Sequence, residues 1–136
     1  MMRSPALLLA AALALSGCQQ STRPSGNVGS GGGKSAALRS MEQVAKAAHK
    51  CWFASKDPAF RSYRFANELN SMSGQPRFLL VPVKNFGGLP QLVVQSSGSS
   101  GRVDVFGPLT TSKLAPRINS DISRWAGGDS SCGSAA

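Results

Sequence analysis

Two stretches of the chain repeat apolar residues at the spacing of an amphipathic helix. The first covers residues 36–50 and the second covers residues 114–126, where Pro116 falls in the first turn and Gly127 follows the last one. The basic residues on the polar side of the first stretch are Arg39, Lys46 and Lys50. We therefore predict two helices, each with one face turned towards a core.

Between the two helices the chain changes to short apolar runs separated by Gly, Pro and Ser. The strand candidates are residues 60–69, 77–83, 89–95 and 102–106. Their connections are of hairpin length, and short connections join antiparallel neighbours, so we expect a four-stranded meander. The runs 78–81 and 92–94 are apolar at consecutive positions, which favours central strands that are at least partly covered on both faces.

Together these elements predict one α+β domain over residues 36–133. It has an N-terminal helix, a four-stranded antiparallel β-meander and a C-terminal helix packed on one face of the sheet. Residues 134–136 are expected to be a disordered tail.

Residues 1–17 have the pattern of a secretion signal, with Arg3 at the start and an apolar run over residues 6–15. Ten apolar residues are too few to span a bilayer, which requires about 20. Residues 18–35 are rich in Gly, Ser and Gln and are expected to form a flexible linker, because they cannot bury enough apolar area to order themselves.

The end of the signal, Leu15-Ser16-Gly17-Cys18, resembles the lipobox of bacterial lipoproteins. The resemblance implies that Cys18 is acylated and becomes the mature N-terminus. It implies a lipid-anchored protein whose domain faces the periplasm. The same resemblance implies the outer rather than the inner membrane, because Gln19 is not the Asp associated with inner-membrane retention in enteric bacteria. The alternative is an ordinary cleaved signal followed by an incidental cysteine.

Three further segments are similar to short lipoproteins of alphaproteobacteria, a family without an assigned activity. They are Lys50-Cys-Trp-Phe53, Pro76-Arg-Phe-Leu-Leu-Val-Pro82 and Arg124-Trp-Ala126. This resemblance implies a compartment and no reaction.

If Cys18 carries lipid, Cys51 and Cys132 remain, and each follows one of the predicted helices. Export exposes them to oxidising conditions, so we predict a disulfide between them. The alternative is a reactive or metal-bound thiol at Cys51 with help from His49. Residues two apart on a helix point in different directions, which disfavours this pair as a chelate.

The composition disfavours most catalytic and metal sites. His49 is the only histidine, and the six acidic residues are spread over separate elements. Only Glu68 and Asp104 lie on strand candidates from which they could converge as a carboxylate pair. We expect no metal ligand set and no cofactor.

The excess of basic residues is the compositional feature that calls for a partner. The chain holds 15 Lys and Arg against 6 Asp and Glu, a formal net charge of +9. We predict a non-catalytic binding or accessory module that contacts an anionic envelope polymer or lipid, or an envelope protein. The candidate patch consists of Arg61, Tyr63, Arg64, Arg77 and Lys84.

Two other functions remain open from the sequence. One is a small envelope enzyme that uses His49 with a carboxylate from the sheet. The other is an inhibitor of an attacking hydrolase, although a basic domain is a poor electrostatic partner for basic lysozymes. Nucleic acid is not expected as a ligand because of the compartment.

Overall fold

The computed structural model describes residues 33–85 and 87–133, which belong to one compact unit. The predicted signal, Cys18 and nearly all of the predicted linker lie outside the described residues, as does the predicted tail. The helices and strands are α1 (Ala36–Ala48), β1 (Tyr63–Glu68), β2 (Arg77–Pro82), β3 (Leu92–Ser96), β4 (Val103–Phe106) and α2 (Ala115–Ala126). None of the helices in the described ranges is long and apolar enough to cross a membrane.

Helix α1 starts at a side-chain cap and continues beyond the predicted end. The Ser35 hydroxyl accepts a hydrogen bond from the Leu38 N–H at 3.1 Å, which satisfies one of the free donors of the first turn. After Ala48 the helix continues as a π-helical turn over His49–Ala54. This turn carries Cys51 and Trp52 into the core, where both are buried.

The four strands form an antiparallel sheet in the order β1-β2-β3-β4, so the predicted meander and α+β fold class are confirmed. All four strands differ from the predicted bounds by at least one residue, and the differences are largest at the starts of β1 and β3. Phe60 lies in a short 3₁₀ turn capped by Asp57, and β1 starts three residues later. Leu89 and Pro90 precede β3, which starts at Leu92. Leu89 is exposed, and Pro90 has no N–H with which to donate a hydrogen bond to a neighbouring strand.

The core lies on one face of the sheet. Phe78, Leu80, Leu92 and Val94 are fully buried there and pack with buried residues of both helices. Between them, the apolar residues of the opposite face are only partly buried and do not belong to this cluster. The central strands are therefore central as predicted, but helices cover them on one face only.

Helix α2 packs along α1 on the same side of the sheet. Pro116 lies in its first turn, as predicted, and Ile118, Ile122 and Trp125 are buried in the core. The side chain of Gln43 on α1 donates a hydrogen bond to the Trp125 carbonyl oxygen, which links the two helices.

The predicted disulfide between Cys51 and Cys132 is confirmed. It joins the π-helical turn to the segment that follows α2, and the two Cα atoms lie 5.1 Å apart across a sequence separation of 81. In the loop-entropy account, a bridge of this span stabilises the fold by about 4–5 kcal/mol.

A buried carboxylate provides a second link between α2 and the π-helical turn. Asp121 is 4% exposed and accepts hydrogen bonds from Trp52 Nε1 at 2.8 Å and from Arg124 Nη2 at 2.6 Å. Arg117 Nε lies 3.6 Å from the same carboxylate, and its Nη2 donates to Asp57 at 2.5 Å. The buried charge is thus paired with cations, as a buried carboxylate requires.

Candidate functional site

A cleft lies between α1 and the edge strand β1. Helix α1 packs mainly over β2, β3 and β4, whereas the core-side face of β1 is contacted chiefly by side chains of the π-helical turn. The cleft has a volume of about 710 Å³. The side chains that matter for its chemistry are Lys46, His49 and Phe53 from the helical side and Tyr63, Arg64, Phe65 and Asn67 from β1.

Aromatic rings form one wall of the cleft. The ring of Phe65 makes edge contacts with two rings of the helical side: its centroid lies 5.6 Å from that of His49 and 5.7 Å from that of Phe53. It also stacks on the ring of buried Phe78, with 4.7 Å between the two centroids. Phe78 is a core residue, so the half-buried Phe65 ring is fixed from below. The wall therefore offers a rigid apolar surface for a flat or apolar ligand group.

The charged side chains of the cleft are mainly basic. Lys46 and Arg64 are exposed and line it together with one acid, Glu42. Glu42 is already engaged by Lys34 at 2.7 Å, whereas none of the ion pairs among the described residues involves Lys46. An anionic group entering the cleft would therefore find a lysine that is not neutralised by a carboxylate.

The structure divides the predicted basic patch. A hydrogen bond from the Val83 N–H to the Ser62 oxygen places the exposed Arg61 and Lys84 at the same end of the β1–β2 pair, near Arg64.

Arg77 lies at the other end of this strand pair. It pairs with Glu68 in the ladder, four residues beyond Arg64, or roughly 13 Å along the strand. Its Nε also forms an ion pair with Glu68 at 2.6 Å.

Tyr63, the aromatic member of the predicted patch, lies on the opposite face of the sheet from Arg64, as does Phe65. Side chains alternate along a strand, so Tyr63 and Phe65 point to the cleft while Arg64 projects from the other face. Arg64 and the cleft meet only at the edge of the sheet. The alternation of apolar and polar residues along β1 predicts which side chains share a face of the sheet. It does not predict which strand lies beside the open cleft.

The residues considered for catalysis are not brought together. His49 is exposed, and its ring lies against the rings of Phe53 and Phe65. Glu68 and Asp104 occupy the opposite sheet face and lie on the two edge strands, roughly 14 Å apart at the spacing of adjacent strands. The carboxyl groups of a glycosidase pair are about 5–9.5 Å apart, so this geometry does not fit one.

Phe53 is a cleft residue whose place in the site the sequence pattern did not predict. It reaches the cleft because the π-helical turn extends α1 beyond Lys50.

Within the described ranges, no group of three or more His, Cys, Asp or Glu side chains is placed to hold a metal ion. Comparisons with protein-family models, curated proteins and solved structures found no match.

Proposed function

We propose that the protein is a lipid-anchored, non-catalytic binding module of the bacterial cell envelope. In this proposal Cys18 carries the lipid, the anchor lies in the outer membrane and the domain faces the periplasm. The domain binds an anionic component of the envelope, and the cleft between α1 and β1 is its binding site.

The observation that carries the proposal is the composition of the cleft. It combines a fixed aromatic wall, built on Phe65, with Lys46 and Arg64 at the same opening. Such a surface suits a ligand that has both an apolar or ring-shaped part and negative charge, because each part is matched by a separate set of side chains.

The charge of the domain supports the same conclusion. Residues 36–133 contain 12 Lys and Arg against 6 acids. Five of these acids already form ion pairs within the structure. The remaining cations give the surface a positive potential that attracts anionic polymers and lipid head groups.

The test compares two charge reversals that change the net charge equally. Lys46→Glu alters the cleft, whereas Lys113→Glu alters an exposed lysine just before α2. The protein carries Cys18→Ser in both cases so that an attached lipid cannot cause binding. Binding is measured to lipopolysaccharide and to vesicles of phosphatidylglycerol, with phosphatidylcholine vesicles as the neutral reference.

We expect Lys46→Glu to weaken binding about 30-fold, since each charge near an anionic surface contributes about 1 kcal/mol and the reversal removes one and opposes another. Lys113→Glu should have a clearly smaller effect, and affinity should fall as salt rises. Equal losses for both variants would show that the cleft is not the site. Binding that does not depend on salt would contradict the electrostatic explanation. Absence of binding to any anionic probe would remove the proposal.

The anchor has its own test. Radiolabelled fatty acid should be incorporated into the protein, and Cys18→Ser should abolish the label. Label that persists in Cys18→Ser would refute the assignment of the anchor.

A further inference from the structure

We infer that the free edge of β1 binds an extended, acidic segment of an envelope protein as a fifth strand of the sheet, antiparallel to β1. The inference rests on the proposed function and specifies its partner. The partner segment would alternate acidic and apolar residues, with the apolar side chains in the cleft.

The edge of β1 is available for strand addition. Among the strands of the described ranges, β1 pairs with β2 alone. In an antiparallel pair every second residue bonds to the neighbouring strand. The hydrogen bond from Val83 N–H to the Ser62 oxygen therefore shows which residues of β1 direct their N–H and C=O groups to β2. The intervening residues Tyr63, Phe65 and Asn67 therefore direct their N–H and C=O groups away from β2.

The same three residues line the cleft with their side chains. An added strand would thus lie beside β1 at the edge of the sheet, and every second side chain would point to the face on which the cleft lies. Addition of an extended peptide to an exposed sheet edge is a recurring mode of peptide recognition, in which backbone hydrogen bonds provide affinity and pockets for alternate side chains provide specificity.

The side chains of β1 indicate the chemistry of the partner. Residues directly opposite each other on neighbouring strands share a face, so an added residue beside Phe65 would meet the aromatic wall. The next added residue would lie beside Arg64 on the other face, where an acidic side chain is favoured. Lys46 lies on the cleft side and so attracts the acidic segment as a whole through its charge rather than by facing an acidic side chain.

A peptide uses this surface more fully than a polysaccharide or a lipid head group does. All three could contact the aromatic wall and the cations. Only a peptide backbone can pair with the row of N–H and C=O groups at the edge, and such unpaired edges are natural templates for another chain.

The experiment uses the full chain with Cys18→Ser, labelled with ¹⁵N, and an acetylated, amidated peptide of three Glu-Val repeats. Amide hydrogen exchange is followed by NMR as the peptide is added. At saturation we expect the Phe65 and Asn67 amides to exchange at least fivefold more slowly. The Arg64 and Ala66 amides, which face β2, should change much less.

Two N-methylated peptides supply matched controls with the same side chains. Methyl groups on the valine nitrogens block the donors that would face β1, so binding should weaken at least tenfold. Methyl groups on the glutamate nitrogens block donors that face away from β1, so binding should be largely retained. Lys46→Glu should weaken binding of the unmodified peptide.

The outcomes separate this inference from the proposed function. If the peptide binds but the Phe65 and Asn67 amides keep their exchange rates, or if both N-methylated peptides bind equally, strand addition is wrong and only anionic binding remains. The same holds if lipopolysaccharide or phosphatidylglycerol vesicles bind while the peptide shows no saturable binding up to about 1 mM. If none of these probes binds, the proposed function fails as well.

Discussion

The buried carboxylate of Asp121 gives the sharpest test of how the core is held together. Asp121→Asn preserves the size of the side chain but leaves one oxygen to serve two donors, Trp52 Nε1 and Arg124 Nη2. One of these donors must then face the new amide NH₂ group. Trp52 is 1% exposed, so water cannot replace a lost partner for its N–H.

The cost follows from these contacts. An unsatisfied buried donor costs about 1–3 kcal/mol, and a hydrogen bond to a charged group contributes about 1.5–3 kcal/mol. We therefore expect Asp121→Asn to lower the free energy of unfolding by about 3 kcal/mol. For a domain of this size, that corresponds to a fall in Tm of roughly 12–24 °C.

Urea unfolding followed by tryptophan fluorescence measures this change, because Trp52 and Trp125 are both buried. Asp104→Asn is the matched control. Its ion pair with Arg102 at 3.1 Å is largely exposed, so its loss should cost less than about 1 kcal/mol. If the two variants differ by less than about 1 kcal/mol, the Asp121 contacts do not stabilise the fold as argued.

Three further predictions concern other parts of the domain. Replacing both Cys51 and Cys132 by serine should lower the free energy of unfolding by about 4–5 kcal/mol, and urea unfolding that matches the oxidised wild type would contradict this. The hydrogen bond from Arg117 lowers the pKa of Asp57 below its ordinary value, so the resulting stabilisation is present at neutral pH and is lost as the pH falls through the lowered pKa. Urea midpoints should therefore fall less between about pH 5 and about pH 2 in Asp57→Asn than in the wild type; equal falls would refute the linkage. Gly107 has φ 117° and a Cβ there would meet a backbone oxygen at 2.8 Å, so Gly107→Ala should cost about 1–3 kcal/mol in thermal unfolding, and an unchanged Tm would show that the backbone relaxes freely.

The sequence by itself determined the elements and their order. The helical spacing of Ile118, Ile122 and Trp125 corresponds to a buried helix face, and short Gly- and Pro-containing connections correspond to hairpins. It also indicated the Cys51–Cys132 bridge. The helices, strands and turns are predictable because periodicity and turn chemistry act over a few residues. The bridge is predictable because only two cysteines remain if Cys18 carries lipid.

Only the tertiary structure decided which strand lies beside the open cleft. The position of α1 over β2–β4 leaves Phe65 and Tyr63 beside an open cleft, although their pattern along β1 is that of ordinary core residues. The structure also brought Trp52 to Asp121 from a segment that is distant in the sequence. Both features depend on how elements pack against each other, and a single sequence specifies the apolar face of an element more directly than the neighbour that covers it.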